Sequence, residues 1–157
     1  MLPAVFVSVL GVTGRLAMRR LILAGVLLLA GGAAAQAATP QRVTVTGEVI
    51  DTWCYLTEIM YPEGSAHHQC AIWCAAGGVP VGIKGDDGTV YMVLRFGDET
   101  ANVAAPRVLA IQSHRVTVDG DFYARDGINY LLVDRVVDDK GIVHLTHDEY
   151  GIQPFGE

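Results

Sequence analysis

From Arg42 to Val137 the chain alternates apolar and polar residues in short runs, which predicts strands rather than long helices. Between Arg42 and Asp51 the residues Val43, Val45, Gly47 and Val49 fall on one side, the period-two pattern of a half-buried strand, with Gly47 placed where that strand can bulge or bend. Val79 to Lys84 leads into the turn cluster Gly85-Asp86-Asp87-Gly88, after which Thr89 to Phe96 alternates again, so a hairpin is expected. Asp98 to Gln112 carries Asn, Pro and several alanines and predicts a short helix or an irregular crossover. Arg115 to Tyr123 and Asn129 to Val137 are two further strands separated by Arg125-Asp126-Gly127, a second hairpin signal. Five strands with a helical element between the third and fourth predict a mainly β fold, a small five-stranded OB-like Greek-key barrel, with an open sandwich as the rival arrangement.

One stretch breaks the alternation. Thr57 to Ser65 contains Pro62 and Gly64 and reads as a loop, and Ala66 to Ala76 then reads as a short helix stopped by Gly77-Gly78. This helical insertion at 57–78, following strand one, is expected to cap one end of the barrel.

The N-terminus changes the picture of where the domain begins. Arg15, Arg19 and Arg20 precede the apolar run Leu21 to Leu29, and a small-residue stretch ending in Ala35-Gln36-Ala37 follows, the order of charge, apolar core and A-x-A in a secretory signal. Residues 1–37 are therefore expected to be a signal peptide and 38–157 a single domain in the periplasm or secreted. The apolar run is short for a membrane span, so no membrane association is expected after cleavage. Met18, directly before Arg19-Arg20, would give a shorter and more typical signal than Met1, and the arginine pair faintly resembles a twin-arginine export signal.

With that segment removed, all 17 acidic residues remain against eight basic ones, a formal charge of −9. An acidic chain without a basic stripe argues against nucleic acid or anionic lipid as a partner. No Ser/His/Asp arrangement, phosphate-cradling glycine loop or recognisable carboxylate pair occurs, so nothing specific supports an enzymatic assignment.

The chemistry concentrates in the insertion. Cys54, His67, Cys70 and Cys74 are four soft or borderline metal ligands in one short stretch of a chain with only three cysteines. On a helix, His67, Cys70 and Cys74 stand at i, i+3 and i+7 on one face, and the end of strand one delivers Cys54. A Cys3His set is a closed tetrahedral donor set for zinc, and the same thiolates suit Cu(I), so one zinc or copper ion is the expected cofactor, in a structural or metal-handling role. His68 is the alternative imidazole, although an ideal helix turns it about 100° from that stripe. Covalent c-type haem is disfavoured, because no C-x-x-C-H run exists.

Two other readings use the same cysteines. A disulfide from Cys54 to Cys70 or Cys74 would staple the insertion to strand one of a binding module that recognises a ligand or a periplasmic protein without metal, leaving one thiol over. Alternatively the leftover cysteine is a redox thiol, with Cys70 near a helix N-terminus beside His67, although the usual Cys-x-x-Cys spacing is absent. Around the set, Asp51 is a candidate hydrogen-bond acceptor for the ligating histidine, and Trp53, Tyr55 and Trp73 are expected to exclude water. Met60 and Met92 are possible soft ligands, more simply read as packing. His144, His147, Asp148 and Glu149 form a polar C-terminal cluster that could take a second, exposed ion but reads first as a solvated tail; His114 has no obvious partner.

The string Gly47-Glu48-Val49-Ile50-Asp51, Cys54-Tyr55-Leu56, His67 with Cys70-Ala71 and Cys74, then Gly78-x-Pro80-x-Gly82 and a strand containing Tyr91 resembles an uncharacterised family of small exported bacterial OB-like proteins. The resemblance covers most of residues 38–157. It implies an exported β-barrel domain with a Cys/His cluster and supplies no activity.

Overall fold

A computed structural model of the chain describes residues 38–97, 99–100 and 104–153, with side chains at all of these except 99 and 100. The expected signal segment, 1–37, lies outside the described residues. Six strands form one sheet: β1 (Gln41–Asp51), β2 (Val81–Gly85), β3 (Val90–Phe96), the two-residue β4 (Glu99–Thr100), β5 (Arg115–Arg125) and β6 (Ile128–Asp139). Among the described residues four short helices accompany them: α1 (Thr52–Thr57), α2 (His68–Ala76), α3 (Pro106–Leu109) and α4 (His147–Tyr150).

The long strand β1 serves two neighbours. Its first part pairs antiparallel with β5, from Gln41 opposite Phe122 to Glu48 opposite Arg115, and its last part pairs antiparallel with β2, from Gly47 opposite Gly85 to Asp51 opposite Val81. β2 and β3 form the expected hairpin, β5 and β6 the second, and β3 runs parallel to β6. The cycle β1-β2-β3-β6-β5 therefore closes on itself, and the barrel leaves no open main edge; the sandwich alternative is excluded. The β5–β6 turn has positive φ at both Asp126 and Gly127, the two-residue turn whose twist matches antiparallel strands.

Gly47 does not bulge β1, since pairing on both sides runs through it without a register shift. A methyl group at that position would overlap the Lys84 carbonyl, so the close approach of β1 to β2 requires glycine.

Val45, Val49, Ile83, Val116, Val118, Leu131 and Val133 fill the barrel, joined by Val108 of α3 and by Ala75 of α2. The inside-out alternation of β1 ends at Val49, after which Ile50 and Asp51 are both buried. The two helices that follow β1 pack against it and cover the face at its end that solvent covers elsewhere along the strand.

Candidate metal centre

Asp51 closes β1 and starts α1. Its Oδ1 accepts from the Trp53 amide at 2.8 Å and the Cys54 amide at 3.4 Å, an N-cap that turns the chain sharply off the strand. Cys54 therefore sits in the first turn of a helix, buried, and does not project from a strand end as the sequence suggested. The base of the insertion is closed by Thr52, whose hydroxyl and amide both donate to the Pro80 carbonyl at 2.6 and 3.2 Å.

The second helix supplies the remaining sulfurs. α2 begins after His67 and ends in a Schellman arrangement: the Val79 amide donates to Cys74 O, the Gly78 amide donates to Ala75 O, and Gly78 has φ +95°. Ala71 and Ala75 form the fully buried stripe of α2 that seats on the barrel, while Cys70 and Cys74 lie half-buried beside that stripe. All three cysteines are free thiols, and their sulfurs lie within 4.8 Å of one another. Cys70 and Cys74 stand 4.0 Å apart, far from a disulfide and close to the roughly 3.8 Å that 2.3 Å bonds to one tetrahedral ion impose. This three-sulfur cluster could hold a metal ion.

His67 belongs to the neighbouring group. Its ring forms a second trio with Asp51 and Cys54, again within 4.8 Å, so Cys54 is common to both. Asp51 and His67 are each only 1% exposed, and Asp51 Oδ2 faces His67 Nε2 at 3.5 Å, too long for a good hydrogen bond. Asp51 Oδ2 and both His67 ring nitrogens are buried without a hydrogen-bond partner. His68, the alternative imidazole, is engaged elsewhere: its Nδ1 is 2.8 Å from Gln112 O and its ring stacks near His114.

Electrostatics in this corner are those of a charge held among thiols. Burial alone would raise Asp51, but the His67 ring, the Cys74 and Cys54 thiols and the Trp53 amide converge on it and hold it well below the usual carboxylate range. The same carboxylate acts in reverse on the sulfurs. Burial, reinforced by Asp51, pushes the Cys54 thiol up to about 12 and Cys74 up as well, so without a cation both stay protonated at neutral pH.

The loop that delivers His67 is pinned from outside the insertion. Thr146, fully buried, donates through Oγ1 to Glu63 O and accepts from the Ala66 amide, both at 3.1 Å, and its amide donates to Ser65 Oγ at 2.9 Å. His147 Nδ1 lies 2.7 Å from the same hydroxyl, and the Ser65 amide donates to His144 O. The C-terminal cluster expected as a solvated tail is thus docked against the cap. His144 joins Glu48 and Glu63, with Nδ1 3.5 Å from Glu48, while its Nε2 lies 3.9 Å from Glu149. In that trio Glu63 already pairs with Lys84 at 2.7 Å and Glu48 accepts the Gly64 amide at 2.6 Å, which makes it a tether between strand, loop and C-terminus.

Three further expectations change. Trp53 and Trp73 are 53% and 63% exposed and are not buried over the cluster. His114 has a partner, Asp139, at 2.9 Å. Met60 is exposed rather than packed in the core. Among the described residues no helix is long and apolar enough to cross a membrane.

Comparison with known proteins finds no family model, no curated protein and no solved structure that matches the chain. Fold and site together define a small closed β-barrel whose helical cap gathers three thiols, a carboxylate and an imidazole.

Proposed function

We propose that this is an exported protein that binds a thiophilic transition-metal ion, zinc or copper, through Cys54, Cys70 and Cys74, with His67 as the adjoining nitrogen donor. The observation that carries the reading is the convergence of three reduced sulfurs from two helices, with two of them spaced as ligands of one ion rather than as a bond. The secretory pattern of residues 1–37 supports a periplasmic or secreted setting, and the resemblance to exported OB-like proteins agrees with it.

Cys54 is buried while Cys70 and Cys74 are half-exposed, so an ion held there is anchored from below and reachable from one side. That asymmetry suits an ion that is taken up and passed on, with Trp53, Leu56 and Trp73 exposed nearby as the surface a periplasmic protein partner would meet. Elemental analysis and intact mass of the protein isolated from its exported location test the reading. Bound zinc or copper with three free thiols after acid release is expected. A mass deficit of one disulfide with no metal would sink it and leave the stapled binding module.

A further inference from the structure

The two ligand trios that meet at Cys54 offer more donors than one ion uses. The Asp51, Cys54 and His67 trio is wholly buried, and Asp51 Oδ2 with both His67 nitrogens has no hydrogen-bond partner there. The 3.5 Å between Oδ2 and Nε2 is long for a hydrogen bond, yet it is close to the separation of roughly 3.4 Å between oxygen and nitrogen donors around one tetrahedral zinc. The Cys70–Cys74 spacing of 4.0 Å meets the corresponding sulfur criterion in the other trio that contains Cys54.

Charge points the same way. Once all three thiols ligate and lose their protons, they and the Asp51 carboxylate carry four negative charges, and the group facing Asp51 is an imidazole rather than a lysine or arginine. One divalent ion leaves half of that charge uncompensated around a buried carboxylate, whereas two divalent ions bring the local sum to zero.

Building on the metal-binding reading above, we propose that the centre is dinuclear. The Cys54 thiolate bridges two divalent ions, one completed by Cys70 and Cys74, the other by Asp51 and His67. Each ion keeps a position for water or an incoming ligand. Loading displaces the thiol protons to solvent, and no oxidation occurs.

Zinc is the probe. The reduced, metal-free protein is titrated with zinc and the ions per chain are counted by native mass spectrometry, with X-ray absorption used to detect a metal neighbour of the metal. Two ions per chain with metal–metal scattering are expected for the wild type, two for His144→Ala, and one each for Asp51→Asn and His67→Ala. Asp51→Asn retains the oxygen that caps α1, so it decides the matter should His67→Ala fail to fold. Saturation of the wild type at one ion, or two ions retained in both variants, overturns the dinuclear centre. No ion at all in the wild type overturns the metal-binding reading beneath it, so the two failures are distinguishable.

Discussion

The barrel and its cap are built on opposite principles. Inside the barrel the buried side chains are aliphatic apart from Phe96, among them Val49, Ile83, Val118, Leu131 and Val133, and closure gives every main strand two paired neighbours. Under the cap Ile50, Ala66 and Ala71 are buried together with Asp51, Thr52, Cys54, His67 and Thr146, and the polar members of that set gain little from leaving water unless something bonds to them. The barrel holds itself by apolar burial. The cap is held by hydrogen bonds to its rim and, in the metal-binding reading, by what its thiols bind. Perturbations should therefore separate the two regions cleanly.

The largest effect is expected at the joint of the barrel. Gly47→Val forces a branched side chain into the Lys84 carbonyl, where both flanking backbones are fixed by pairing. Backbone overlap of this kind has no soft neighbour to yield, and a loss above about 4 kcal/mol is expected, read as collapse of the urea midpoint and of far-ultraviolet circular dichroism. Retention of a wild-type midpoint would mean that β1 and β2 do not approach as closely as described.

Cys54→Ser comes next and should touch only the cap. If the cluster binds zinc, saturating the wild type at about a thousandfold over Kd adds about 4 kcal/mol. The variant should lose that increment while its metal-free midpoint stays close to that of the metal-free wild type. Chelation of the wild type should reproduce the variant. Equal melting temperatures with and without zinc in the wild type would remove the metal from the account of cap stability.

Acidity gives a third, smaller separation. A thiol whose folded value is raised contributes stability that is complete below its unfolded value and is lost as pH rises toward the folded one. For Cys54 that window runs from 9.0 to about 12, with Cys74 shifted in the same direction. The metal-free protein should accordingly weaken from pH 9 upward, and the zinc-loaded protein, whose thiols are already ionised, should not. Asp51 works at the other end: its depressed value stabilises the fold above 3.8 and that share is lost on acidification. Urea midpoints across pH, with and without zinc, read both limbs, and a flat alkaline limb in the metal-free form would contradict the buried thiols.

Much of this division was legible in the sequence. Period-two runs gave all five barrel strands and both hairpins, because a residue facing a closed core repeats its signal at every second position. The three cysteines and the α2 helix were also legible, since Gly77-Gly78 ends that helix and Cys70 and Cys74 lie one turn apart. Helix α1 was not, because it is six residues long and is fixed by a single capping carboxylate, Asp51, that reads equally well as a strand end. The division of ligands into two trios escaped as well: i, i+3, i+7 spacing places His67 beside Cys70, and only the tertiary structure groups its ring with Asp51 and Cys54. The docking of Thr146 and His144 joins residues some eighty positions apart and leaves no local signal.

That docking supplies the fourth prediction. Thr146→Ala removes two hydroxyl-mediated bonds, from the Ala66 amide and to the Glu63 carbonyl, in a fully buried position. A destabilisation of about 1–3 kcal/mol is expected. Hydrogen exchange should show it as faster opening of residues 63–67 with the β1, β5 and β6 amides unchanged. Uniform acceleration across the barrel would show that cap and barrel unfold as one unit.

The smallest effect belongs to the barrel's outer face. Arg42 reaches both Asp121 and Asp134, Arg95 meets Asp134 at 2.9 Å, and Arg135 meets Asp119 at 2.6 Å, a lattice of charges across β1, β3, β5 and β6 that is largely open to solvent. Water and salt screen such pairs, and ordering long side chains offsets most of what attraction remains. Arg42→Ala should leave the midpoint nearly unmoved and zinc stoichiometry unchanged, with whatever small shift exists vanishing at high salt. A salt-resistant loss would show that these pairs clamp the barrel rather than decorate it, and the contrast between an apolar barrel and a polar cap would then have to be redrawn.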